Sequence, residues 1–240
     1  MKKYLPLIFT IFSCIMLNTA HAQVQTSEKA NIVRKTTLNY LLWLPEGYAK
    51  EKNKTFPLLI FLHGSGERGD SLNLVKKHGP PSFVENRPDF PFITVSPQCP
   101  LGVWWNIQDL QAMLEQLIAK YHVDKSRIYL TGLSMGGFGT WAWACAYPKQ
   151  FAAIAPICGG GDVIFADELK DVPVWAFHGD NDKVVTVMRS RNMISGIKKA
   201  GGNPKYTEYP GMGHNCWNVT YNDPATIEWM FSQNRKNKKP

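Results

Sequence analysis

The sequence predicts one α/β domain built on a mostly parallel central sheet flanked by helices. Three observations carry that prediction. Strand-like and helix-like signals alternate along most of the chain. The run FPLLIFLHG, from Phe56 to Gly64, is the continuous apolar stretch of a strand buried on both faces. The run 107–121 places Leu110, Met113, Leu114, Leu117, Ile118 and Tyr121 at helical spacing, an apolar stripe made to lie against a sheet.

The elements follow in order. The first residues, MKKYLPLIFTIFSCIMLNTAHAQ, open with Lys2 and Lys3, continue as an apolar run from Leu5 to Leu17, and reach the small-x-small pattern Ala20-His21-Ala22. This is the pattern of an export signal covering residues 1–22, which places the protein in a secreted or periplasmic setting. The apolar run is short for a membrane span, and Cys14 lacks the small-residue context of a lipidation site. No stable membrane insertion is expected once the leader is removed. Residues 23–232 then form a single domain. Residues 233–240, largely NRKNKKP, form a basic disordered tail. The formal charge of +8 falls to +6 when Lys2 and Lys3 leave. With the excess gathered in that tail, it reads as a solvated terminus, and no nucleic-acid partner is expected.

NYLLWLP (39–45) reads as an early strand, followed by the buried strand already described and by FPFITVSPQ (90–98). After the striped helix come the strand SRIYLTG (126–132) and the helix MGGFGTWAWACAYP (135–148), which Pro148 stops. FAAIAPICGG (151–160) and VPVWAFHGD (172–180) are further strands. The segment 184–202 is a helix closed by glycines. KYTEYPG (205–211) is a last short strand. NDPATIEWMFSQ (222–233) is a helix with Asp223 as N-cap and Pro224 in the first turn. Four cysteines follow the leader: Cys99, Cys145, Cys158 and Cys216. They allow three complete pairings, among which the sequence does not choose. Cys145, inside a helix-like run, reads as a small buried hydrophobe. No cluster suggests a metal.

One serine stands out. Gly132-Leu133-Ser134-Met135-Gly136 falls between strand and helix, the setting of a sharp turn that lifts a nucleophilic hydroxyl clear of the sheet. Side chains two positions either side would strike neighbouring backbone, hence the two glycines. A serine at neutral pH needs a base, and the base needs an orienting acid. Only His178 and His214 follow Ser134. His178, at a strand end, reads as loop-shaping. His214, in the glycine-punctuated PGMGHNCW, can reach back over the serine. Asp180 ends the strand read at 172–180, and Asp182 lies just beyond it. Asp182 is favoured as the acid and Asp180 as a turn residue, with Asp162 the third choice. The N–H of Met135 is one expected oxyanion donor. The other belongs to the glycine-rich loop FLHGSGERGD, with Ser65 favoured and Gly66 the alternative.

Taken together, LHGSGERG, KKHGPP, SPQCP, the Trp104-Trp105 pair, GLSMGG, HGDNDKVV and GHNCW resemble the α/β-hydrolase superfamily. More narrowly they resemble its small secreted esterases, of the phospholipase/carboxylesterase and polyhydroxybutyrate-depolymerase-like group. The resemblance spans nearly the whole chain beyond the leader. It implies a serine carboxylic ester hydrolase with a minimal lid and no cofactor, with Ser134 as nucleophile, Asp182 as acid and His214 as base. Relatives of this kind include feruloyl and acetyl esterases that act on polysaccharide. A serine peptidase or amidase, and a non-catalytic carbohydrate-binding module on the same scaffold, are the competing readings. Trp105 and Trp217 are the expected aromatic contacts to substrate, since indoles suit sugar faces and aromatic acyl groups, and Trp104 is a further candidate. Glu67 is expected to hold substrate, or to brace its loop in a salt bridge with Arg68. His63 and His78 read as loop-shaping and structural.

Overall fold

The computed structural model describes residues 27, 29, 30 and 35–235. The expected leader and the last five residues of the tail lie outside the described residues. Every element below belongs to the compact unit Thr36–Pro240.

Seven strands form one sheet: β1 (Tyr40–Trp43), β2 (Phe56–Leu62), β3 (Ile93–Pro97), β4 (Val123–Leu133), β5 (Ala153–Ile157), β6 (Trp175–Gly179) and β7 (Lys205–Tyr209). Their spatial order is β1-β3-β2-β4-β5-β6-β7. Only β1 runs antiparallel to its neighbour, and every other pair is parallel. Among the described residues, five α-helices accompany the sheet: α1 (Ile107–Lys120), α2 (Met135–Ala146), α3 (Met188–Lys199), α4 (Trp217–Asn222) and α5 (Pro224–Ser232).

The apolar run of β2 is buried at every position. Its alternate residues serve two cores. Leu58, Ile60 and Leu62 join Leu110, Leu114, Trp141, Trp143 and Ile197 from α1, α2 and α3. Leu59 and Phe61 join Phe177, Tyr221 and Met230, on the side of α4 and α5. A two-residue repeat feeding two opposed cores is the reason this strand carries no polar face.

The helix ends follow local chemistry. Asn106 caps α1 by accepting from the Asp109 N–H at 3.0 Å. Asp223 caps α5 by accepting from the Ala225 N–H at 3.0 Å, with Pro224 as the first helical residue. α2 ends at Ala146, two residues before Pro148. Two departures from the sequence expectation stand out. α3 begins at Met188 instead of Val184. The Asp182 carboxylate takes the N–H groups of Val184 and Val185 at 2.8 and 2.9 Å, holding those residues in a side-chain-capped turn instead of a helix. The short helix α4, directly after the His214 loop, has six residues, too few for a periodic signal in the sequence.

Because β2, β4, β5, β6 and β7 run parallel, their carboxyl ends open on one edge of the sheet. The loops after β2, β4, β6 and β7 carry Glu67, Ser134, Asp182 and His214 to that edge.

Candidate active site

Ser134 joins β4 to α2 with φ of 52°, in the left-handed half of backbone space that a side-chain-bearing residue seldom occupies. Two hydrogen bonds pin this turn. The Ser134 N–H donates to the Ile157 carbonyl at 3.0 Å, and the Ser134 carbonyl accepts from the Phe138 N–H at 3.0 Å. The flanking glycines are sterically required. A β-carbon on Gly132 would come within 2.5 Å of the Gly136 carbonyl oxygen, and one on Gly136 would overlap the Leu62 carbonyl.

His214 is half-buried on the loop after β7. Its Nε2 lies 2.8 Å from Ser134 Oγ, and its Nδ1 lies 2.7 Å from Asp182 Oδ2. The two aspartates of HGDNDKVV make different contacts. Asp180 Oδ1 accepts from the Gly211 N–H at 2.7 Å and ties the β6 loop to the β7 loop. Asp182 is 7% exposed and faces His214. Burial opposes its ionisation, but the His214 ring and the Val185 and Val184 N–H groups outweigh that and hold its carboxyl below the ordinary range. Asp162 caps a separate 3-10 turn through the Ile164 N–H.

The loop after β2 meets the serine from the other side. A β-carbon on Gly64 would lie 3.6 Å from Ser134 Cβ. Ser65 opens the short 3-10 turn Ser65–Glu67 on the exposed side of this loop, with Gly66 beside it. Met135 is the first residue of α2, so its N–H belongs to the first turn, which has no acceptor within the helix. His63 anchors the loop from below. Burial pushes its ring down to about 4, so it is neutral near pH 7. Its Nδ1–H donates to the Gly64 carbonyl at 2.6 Å, and its Nε2 accepts from the Cys99 N–H at 3.0 Å.

The aromatic candidates need correction. Trp105 is 9% exposed, packs against the His63 ring with centroids 4.8 Å apart, and donates Nε1–H to the His63 carbonyl at 3.3 Å. It belongs to the core under the loop. Trp104 is 62% exposed and stands edge-on to Phe138, four residues past the serine. The sequence favours Trp105 over its neighbour, and packing separates the two the other way. Trp217 lies edge-on to His214, with centroids 5.4 Å apart, and edge-on to His78 at 5.5 Å. Glu67 is 5% exposed, with an oxygen 4.0 Å from His78 Nε2. The salt bridge considered for it with Arg68 is not formed. Arg68 instead donates to the carbonyls of Ser65 and Val103, at 3.0 and 3.2 Å. His78 therefore borders this rim, which nothing in KKHGPP signals.

Among the described residues, Cys99, Cys145, Cys158 and Cys216 form no disulfide, and Cys99, Cys158 and Cys216 are buried. Among the described residues, no group of three or more His, Cys, Asp and Glu side chains is arranged to hold a metal ion.

Residues 90–226 match the phospholipase/carboxylesterase family. Carboxylesterase SOBER1 of Arabidopsis thaliana is 29% identical over 137 residues, which cover 55% of this chain and 60% of that protein. Probable feruloyl esterase C of Aspergillus niger is 27% identical over 189 residues, covering 75% of this chain and 68% of that one. The crystal structure of a thermostable esterase superposes with a TM-score of 0.78 at 35% identity, covering 82% of this chain and 60% of that chain. The chain thus spans three-fifths of the length of the plant carboxylesterase and of the thermostable esterase.

Proposed function

We propose that this chain, which belongs to the phospholipase/carboxylesterase family and has the α/β-hydrolase fold, is an exported serine carboxylic ester hydrolase. The observation that carries the proposal is the continuous hydrogen-bonded line from Ser134 Oγ through His214 to Asp182, with contacts of 2.8 and 2.7 Å. In this reading, His214 Nε2 takes the Ser134 proton as Oγ attacks an ester carbonyl. Asp182 holds the Nδ1–H tautomer and stabilises the imidazolium that forms. The Met135 and Ser65 N–H groups receive the oxyanion, and each such donor is worth about 10²–10³ in rate. His214 then gives its proton to the departing alcohol. Water repeats the attack on the acyl-enzyme and releases the acid.

Feruloyl or acetyl groups on polysaccharide are the proposed acyl substrates. The feruloyl esterase relative supports that choice. So do the exposed Trp104 indole, edge-on to Phe138 four residues past the serine, and the Trp217 ring edge-on to His214. Export rests on the leader read at residues 1–22.

The test is a substrate screen with protein lacking residues 1–22. Feruloylated and acetylated xylan fragments, short and long p-nitrophenyl esters, lysophospholipid and chromogenic peptides are assayed beside Ser134→Ala. The expected result is ester hydrolysis that the substitution abolishes. Peptide cleavage without ester cleavage, or ester cleavage that survives the substitution, would overturn the reading.

A further inference from the structure

His178 is completely buried, yet the ester-hydrolysis mechanism above gives it no task. It lies on β6, four residues before Asp182. Its Nε2 is 3.1 Å from Asp182 Oδ2 and 2.8 Å from the Val185 carbonyl oxygen. Both neighbours are acceptors, so Nε2 carries a hydrogen and shares it between them. Its Nδ1 is 2.8 Å from the hydroxyl of Ser190, on α3, and Ser190 Oγ is 3.3 Å from the Gly159 carbonyl. The Ser190 hydroxyl has one hydrogen and two acceptors within reach, His178 Nδ1 at 2.8 Å and the Gly159 carbonyl at 3.3 Å; placed on the shorter contact it donates to Nδ1, which agrees with the hydrogen on Nε2.

Asp182 Oδ2 therefore meets two imidazoles, His214 at 2.7 Å and His178 at 3.1 Å, while Oδ1 is held by two backbone N–H groups. We infer that His178 is a positioning residue, oriented by Ser190, which fixes Asp182 Oδ2 and draws off part of its charge so that His214 is aligned without being over-stabilised as a cation. The chain of contacts then runs Ser190–His178–Asp182–His214–Ser134 and ties α3 to the nucleophile.

Other charged and titratable groups surround this line. Cys158 follows β5 and feels the Asp182 charge. Cys216 adjoins it on the His214 loop. Glu208 lies beside His178 in the β6–β7 register and is bonded by Arg191 of α3, and Asp180 shares the Asp182 loop. None of these donates a hydrogen bond to the Asp182 carboxylate, so His178 is the side-chain donor besides His214 among the described residues.

The inference rests on reading Ser134, His214 and Asp182 as the reacting set, and its test separates the two. His178→Leu removes the donor, whereas His178→Gln keeps an N–H near the position of Nε2. With a p-nitrophenyl ester, His178→Leu should lose about tenfold or more in kcat at unchanged KM, the scale typical of partners that orient a catalytic group. His178→Gln should recover most of that loss. NMR titration of the His214 ring, which needs no turnover, should show a midpoint in His178→Leu above that of the wild type, because a carboxylate relieved of one donor stabilises the imidazolium more. Equal losses in both variants, with the His214 titration unmoved, would overturn the inference. If His178→Leu does not fold, Ser190→Ala decides. A raised His214 pKa with lower kcat supports the inference, and an unchanged titration overturns it. Wild-type protein without Ser134-dependent hydrolysis would sink the proposed function, while the NMR titration would still judge this inference.

Discussion

At Ser134, backbone strain and chemistry meet in one residue. A φ of 52° is costly for a side chain, typically by about 1–3 kcal/mol, and glycine tolerates it at an entropic cost of about 0.5–1 kcal/mol. Ser134→Gly is therefore expected to unfold at higher denaturant, by about 1 kcal/mol net, while losing hydrolysis. Ser134→Ala should lose activity by about 10⁴-fold or more at unchanged stability. Urea unfolding of both variants against wild type checks this, and a glycine variant no more stable than the alanine variant would contradict it. The serine was legible because the steric demand of the turn writes itself into the chain as Gly132 and Gly136. Asp182 was favoured as the acid for a different reason, its place just beyond a strand and before the apolar start of a helix-like run. His178 was legible only as a loop-shaping residue. Its contact with Asp182 depends on the curl of the loop through Val184 and Val185, which no local pattern encodes.

Among the elements, the loop after β3 divides labour between adjacent tryptophans. Trp105 is in the core against His63, and Trp104 faces solvent beside Phe138. Trp105→Ala should cost about 3–5 kcal/mol of stability, as large-to-small changes in a core do. Trp104→Ala should change stability by less than about 0.5 kcal/mol and raise KM for esters with bulky aromatic acyl groups. Denaturation curves and steady-state kinetics on feruloyl and acetyl esters separate the two effects, and the reverse pattern would return the substrate role to Trp105. The parallel strands were legible because burial on both faces leaves continuous apolar runs. The start of α3 and the existence of α4 were not. One was moved by a side chain capturing backbone donors, and the other is too short to show a period.

For the molecule as a whole, stability is tied to pH through a buried histidine just beyond β2. His63 is fully buried, and its ring titrates at about 4 instead of near 6.5, with burial as the main cause. The unfolded chain takes up a proton near pH 6.5 that the native protein refuses until about pH 4. Stability should therefore be complete above that window and fall as pH drops through it, by about 3 kcal/mol in all. Urea unfolding at several pH values checks this, and a midpoint unchanged from pH 6.5 to 4.5 would refute it. The sequence by itself determined the layered sheet and the serine turn, because each is written in local sterics or in a repeat of two or 3.6 residues. Tertiary structure alone decided which tryptophan faces solvent, that Arg68 bonds carbonyls instead of Glu67, and that His178 touches Asp182. Those outcomes depend on how separate loops pack at one edge of the sheet, and such distances are set by the whole core.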